Sequence, residues 1–262
     1  MEFFHQQEAI SILRIFLLAV SGAVVGVWCE KVAKAYVHVL DTGGEADAAC
    51  LRAALWQAFR GFFPGLKKAA VDSNLVLVAG AVGALKASVA CAVLMSACFA
   101  VLAALHGWTL YFMGAATACA MLLMLALIDA RIRLLPDALT LPLLWLGLAL
   151  AWSGHGLDLH EAIAGVMLGY GFLWVLFWLF KLLSGREGMG YGDFKLLAAL
   201  GAWLGWRPLA AVLLAACVMG VLLAMCRQRS FAPSGSYPFG PFLAASGLAA
   251  LMAGSDVHLY FW

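Results

Sequence analysis

"WTLYFMGAATACAMLLMLALIDARIRLLPDALTLPLLWLGLAL", residues 108–150, holds an uninterrupted apolar run (108–128), a short charged knot and a second apolar run (139–153 in full). The first run is long enough, at 1.5 Å per helical residue, to cross a hydrocarbon layer of roughly 30 Å. Its apolar positions do not alternate with polar ones, which excludes the strand of a membrane barrel. In lipid, where backbone groups find no water, the helix is then the remaining way to satisfy them. Comparable runs occupy 9–28, 86–105, 160–180 and 209–226, with further short runs at 194–205 and 238–254. The pattern predicts an all-α fold, a polytopic transmembrane helical bundle of about eight helices.

Composition agrees. Of 262 residues, 65% are hydrophobic and 11% charged, and the mean hydropathy is +0.98, outside the range of soluble domains. A net charge of +2 says little about partners; the apolar runs make the lipid bilayer an expected partner, and nucleic acid is not expected. The seven cysteines form no C-x-x-C pair, and the six histidines stand at no metal-ligand spacing with Cys, Asp or Glu; no metal is expected. Glu2 and Glu8 at the start of the first run argue that it is a retained helix rather than a cleaved signal.

The placement of the charges sets an orientation. Lys31, Lys34, Arg52, Arg60, Lys67 and Lys68 follow the first apolar run. Arg131 and Arg133 follow the third, Lys181 and Arg186 the fifth, and Arg227 and Arg229 the seventh. The loops near 106 and 154–159 and the segment after 254 carry no Lys or Arg, and Arg207 alone interrupts the alternation. By the positive-inside rule, loops 29–73, 130–138, 182–193 and 227–237 are cytoplasmic and both termini are periplasmic. The chain reads as a single membrane domain (1–262) with a cytoplasmic insertion at 29–73. That insertion contains an amphipathic helix near 46–60, whose Trp56 and Phe59 suit either the membrane surface or the bundle. Residues 74–85 extend the next helix or lie at the interface.

Two carboxylates stand at the cytoplasmic ends of apolar segments: Asp129 in "ALIDARIRLLP" and Asp193 in "GMGYGDFKLL". A charge at the edge of the membrane is costly unless it is solvated, paired or used. Asp129 has Arg131 and Arg133 close in sequence as candidate partners. Gly188, Gly190 and Gly192 ahead of Asp193 leave backbone uncovered and free to take positive φ, which suits a site that receives an extended peptide. Together the two aspartates read as a dyad, one activating water and one polarising a carbonyl, titrating as a pair. The helix dipole favours Asp193 as the ionised member, at a helix N-terminus, and Asp129 as the protonated one. Asp137 after Pro136 reads as a helix N-cap, Glu187 as a solvated loop charge or a group that attracts a basic peptide, and Lys195 as an interfacial anchor near the dyad. "SYPFGPFLA" (236–244) reads as structural or substrate-lining.

Three stretches, "LIDARIRLLPDALTLPLLWLG" (127–147), "GREGMGYGDFKLLAALGAWLGW" (185–206) and "YPFGPFLAASG" (237–247), resemble the signature elements of the type IV prepilin peptidases, membrane aspartyl proteases of the G-x-G-D class. The resemblance covers about 120–254, the expected peptidase core, and implies that Asp129 and Asp193 are catalytic. It implies endoproteolysis of type IV prepilins or type II secretion pseudopilins, after a basic leader, at the cytoplasmic face of a bacterial inner membrane, with Gly190, Gly192 and Glu187 toward the substrate. Typical members also carry two C-x-x-C pairs in an N-terminal cytoplasmic domain and methylate the new N-terminus with S-adenosylmethionine. This chain departs from the cysteine pattern, so proteolysis is expected without zinc, and S-adenosylmethionine matters only if methylation is retained. Two readings compete with a peptidase: a proton- or cation-coupled transporter, which needs ionisable residues at several depths, and a non-catalytic assembly factor that keeps the fold. The other G-x-G-D class, that of presenilins, would show a Tyr-Asp pair and a Pro-Ala-Leu element, and neither is present.

Overall fold

The computed structural model describes residues 2–41, 48–62, 75–185, 189–228 and 237–253, which form helices with short connections. Among the described residues, five helices are long and apolar enough to cross a membrane, beginning at Phe16, Leu85, Leu110, Leu159 and Leu209, so the protein is a polytopic helical membrane protein. The chain divides into two compact units, Met1–Phe112 and Met113–Trp262.

The first unit contains α1 (Glu2–Asp41), α2 (Ala48–Phe62) and α3 (Leu75–His106). α1 pairs with α3 through Gly22 and Gly26, a small-xxx-small pair of the kind that lets membrane helices touch backbone to backbone. A methyl group on Gly26 would lie 2.3 Å from the Cys91 carbonyl oxygen, and one on Gly22 2.6 Å from that of Met95. α1 does not stop near residue 28, as the charges of Glu30, Lys31 and Lys34 suggested, but runs on to Asp41. Cys29, Val32, Ala33 and Tyr36 are buried at helical spacing, so this stretch is an amphipathic continuation of the helix. Glu30 is 1% exposed; it is offset by Lys34 one turn on and accepts a 3.1 Å hydrogen bond from Ser88 Oγ of α3, the pairing that a buried carboxylate requires. α2 buries Cys50, Ala54 and Ala58 and exposes Trp56 and Phe59 on its other face. Residues 75–85 prove to be the first turns of α3.

The second unit takes most of α4 (Leu110–Ile132), with α5 (Asp137–Trp152), α6 (Leu159–Ser184), α7 (Tyr191–Leu204), α8 (Leu209–Gln228) and α9 (Gly240–Ala253). α7 is its centre, because every residue from Leu196 to Leu204 is buried. At 14 residues it spans only about 21 Å, a length that suits a helix whose ends meet protein rather than water. α6 lies directly on it, since Gly165 and Gly201 face each other so closely that a methyl group on either would fall within 2.4 Å of the other's carbonyl oxygen. Trp203 Nε1 donates a 2.9 Å hydrogen bond to the Leu143 carbonyl and ties α7 to α5. α6 starts at an Asp158 cap whose Oδ1 accepts the His160 N–H at 2.8 Å, a bond that holds the Asp158 carboxyl below the usual carboxylate range. It ends at Gly185, where φ is +67°, a left-handed stop.

Candidate active site

The end of α4 is set one turn beyond Asp129. Arg133 adopts a left-handed conformation, φ +56°, and its N–H donates to the Asp129 carbonyl at 2.8 Å. Pro136 then prevents the helix from continuing. Asp193 occupies the first turn of α7, three residues after Gly190, which caps that helix in extended conformation, φ −81°. The Asp193 N–H donates to the Gly190 carbonyl at 3.2 Å, and the Gly190 backbone in turn hydrogen-bonds the Asp193 carboxyl group.

These two helix ends bring the aspartates together. Asp129 is 5% exposed and Asp193 8%, and the carboxyl groups are close enough to act on each other electrostatically. Asp129 also meets the start of α9, where the Gly240 backbone hydrogen-bonds its carboxyl group. Its Oδ2 is nevertheless buried with no hydrogen-bond partner among the described residues. A buried polar atom left unsatisfied is uncommon and calls for a reason, a catalytic role among them.

The surroundings correct several expectations. Asp137 is not the cap of α5: Pro136 holds that position with no side-chain hydrogen bond. The Asp137 carboxylate instead takes the Lys195 ammonium on both oxygens, each at 2.7 Å. Lys195 is thus an ion-pair partner joining the start of α5 to the start of α7. Neither Gly190 nor Gly192 has positive φ. Gly190 is exposed beside Asp193, whereas Gly192 is needed because a methyl group there would lie 2.8 Å from Leu135 Cβ. Asp129 stands near a helix C-terminus by its backbone but against the N-terminus of α9 by its side chain, so the dipole no longer separates the two aspartates. Glu187 and Gly188 lie outside the described residues.

Gly240 is the residue that the sequence reading missed. A methyl group on it would lie 2.7 Å from Asp129 Oδ2, so only glycine brings α9 this close. Its signal was the pair of prolines, Pro238 and Pro241, around a lone glycine at a helix entry. Among the described residues, no three His, Cys, Asp or Glu side chains gather in a metal-binding group. No disulfide joins any of the seven cysteines, all of which stand among the described residues.

Two buried carboxyl groups from separate helix ends, one with an open oxygen, can share a proton and activate water between them. Residues 116–225 match the type IV leader peptidase family. The matched region includes Asp129, Asp193 and the Asp137–Lys195 pair and stops short of Gly240. The chain is similar to a prepilin leader peptidase/N-methyltransferase of Pseudomonas putida, 48% identical over 139 residues, which are 52% of this chain and 48% of that protein. A protein of the same name from Burkholderia pseudomallei strain K96243 is 51% identical over 146 residues, 54% of this chain and 46% of that one. One from Pseudomonas aeruginosa is 50% identical over 138 residues, 52% and 48% of the respective chains. The chain spans about half the length of the curated relatives it matches. No solved structure matches it.

Proposed function

We propose that this chain is a membrane aspartyl endopeptidase that removes the basic leader from type IV prepilins or type II secretion pseudopilins at the cytoplasmic face of a bacterial inner membrane, with residues 120–254 as its peptidase core. The observation that carries the reading is the convergence of buried Asp129 and Asp193 around an oxygen with no hydrogen-bond partner. One carboxylate takes a proton from water as the water oxygen attacks the scissile carbonyl carbon, while the other, protonated, gives its proton to the carbonyl oxygen. The tetrahedral diol then collapses, the C–N bond breaks, the amine leaves with the proton that the first carboxyl group collected, and one hydroxyl proton of the diol returns to the second carboxylate. Exposed Gly190 keeps the approach to Asp193 open for an extended stretch of peptide, Gly192 lets Leu135 close the far side, and Glu187 offers a negative charge to the leader.

The relatives' names include N-methyltransferase. The described cavities of the second unit are lined by aliphatic and aromatic side chains without a carboxylate. Such linings do not fit the charged sulfonium and ribose of S-adenosylmethionine.

The test is co-expression with a prepilin and mass spectrometry of the pilin N-terminus. Wild type is expected to remove the leader, and Asp129→Asn and Asp193→Asn to lower the rate on the order of 10²–10⁴-fold while still inserting in the membrane. Cleavage by both variants at the wild-type rate would falsify the reading. The mass of the mature N-terminus reads any added methyl group in the same experiment.

A further inference from the structure

α6 and α8 both flank α7 without packing extensively on each other, and the space between them is a groove. Toward one end it widens to a cavity of about 450 Å³, lined by Leu168, Phe172, Leu197, Leu214 and Cys217 among others. Toward the other it widens to about 400 Å³, lined by Leu176, Met189, Val221, Phe239 and Phe242. The two cavities share Leu213 and Cys217 and therefore adjoin. A third, of about 220 Å³, adjoins through Leu176 and Met189. The α6 wall repeats every four residues, at Leu168, Phe172, Leu176 and Phe180, all more than 40% exposed. The α8 wall places small side chains seven apart, at Ala210, Cys217 and Ala224. From 210 to 224 a helix rises about 21 Å.

One end of this groove lies beside the candidate active site. Met189 and Phe239 line it; Met189 directly precedes Gly190, whose backbone hydrogen-bonds the Asp193 carboxyl group, and Phe239 directly precedes Gly240, whose backbone hydrogen-bonds that of Asp129. An occupant of the groove therefore has one end next to the two residues that contact the carboxyl groups. Its lining is apolar apart from Tyr237 at that same end. A chain segment that fills it in lipid must be helical, because its backbone finds no partners there, and small residues at sevenfold spacing are what lets another helix approach closely.

We propose that the groove between α6 and α8 receives an apolar helix of the substrate, in a register that sets the peptide bond at the helix's end between Asp129 and Asp193. The inference rests on the proteolytic reading. It makes the sequence on the membrane side of the cut a determinant of recognition. A charged side chain in the stretch beside Cys217 meets no partner in the groove and blocks seating.

Cys217 is exposed in the groove and serves as its own probe. The full chain with Cys226→Ser and Asp193→Asn, which holds substrate uncut, is co-expressed with a cysteine-free prepilin of Pseudomonas aeruginosa given single cysteines along its apolar helix, and the membranes are treated with a short bis-maleimide. Leu222→Cys combined with Cys217→Ser moves the probe to an exposed α8 position outside the groove lining. Cross-linking is expected at Cys217 to prepilin positions spaced three or four apart, at least tenfold above the Leu222→Cys control. In the cleavage assay with an intact dyad, Cys217→Trp is expected to slow cutting at least tenfold and Leu222→Trp to leave it unchanged. If the wild-type chain cuts the prepilin but cross-linking at 217 does not exceed the control, lipid fills the groove and this inference fails while proteolysis stands. If the wild-type chain does not cut the prepilin, the proteolytic reading fails and this inference goes with it.

Discussion

At the scale of single residues, the candidate site depends on contacts between positions far apart in the chain. Gly240 is the sharpest case: adding one methyl group puts an atom 2.7 Å from Asp129 Oδ2 and 2.9 Å from its Cγ, so the carboxyl group or the start of α9 must shift. Misplacing a catalytic group by about 1 Å costs on the order of 10²-fold, so Gly240→Ala is expected to lower leader cleavage by that factor without reducing the amount of inserted protein. Gly171→Ala, on an open face with nothing within 4 Å, is expected to change nothing; equal rates for both variants would separate Gly240 from the chemistry. Asp137→Asn removes the carboxylate charge facing Lys195 but leaves the dyad in place. Both side chains are partly exposed, 53% and 32%, where an ion pair contributes about 1 kcal/mol or less, so cleavage is expected to stay within about tenfold of wild type in the same assay. The two aspartates were legible in the sequence because a carboxylate beside an apolar run is conspicuous by its cost. Gly240, and the true partner of Asp137, were not, because an approach between distant positions leaves no local pattern.

At the scale of helices, close packing here runs through glycine faces, and the two units use the same device. Gly22 and Gly26 seat α1 on α3, and Gly165 and Gly201 seat α6 on α7. A leucine at Gly26 has to displace the Cys91 backbone, which cannot rotate aside as a side chain can, at a cost of about 1–3 kcal/mol or more. Gly26→Leu is therefore expected to lower the thermal stability of the purified protein and to expose the first unit to limited proteolysis, whereas Val24→Leu, at an exposed position away from that face, is expected to do neither. Long apolar helices were easily read, because twenty residues without charge admit one structure in lipid. The prolongation of α1 to Asp41 was not, since Glu30 and Lys34 looked like the start of a loop. Their burial and pairing show a helix carrying its own counter-charge. The amphipathic α2 was legible from its period: Cys50, Ala54 and Ala58 are buried, while Trp56 and Phe59 face outward.

At the scale of the whole molecule, the charges at helix ends carry the argument for orientation. α4, α6 and α8 each end with a basic residue in the last turn, Arg131, Lys181 and Arg227. α5, α7 and α9 end with none. The one exception to the alternation, Arg207 between α7 and α8, faces Glu161 of α6 at 3.9 Å and lies over the Trp206 ring. It is paired, while still solvent-exposed, at a surface shared with the start of α6. Translocating a Lys or Arg is opposed and retaining one is favoured, so the ends of α4, α6 and α8 should share the cytoplasmic side with the start of α7, where Asp193 stands. A green fluorescent protein fused after Gln228 is expected to fluoresce and one fused after Gly154 to stay dark, while a β-lactamase at the same two points gives resistance only after Gly154. The reverse pattern would place Asp129 and Asp193 on the periplasmic side, where a basic leader retained in the cytoplasm could not reach them. Orientation and proteolysis are thus coupled: the fusion experiment can remove the proposed substrate class even if both aspartates prove indispensable to some other reaction.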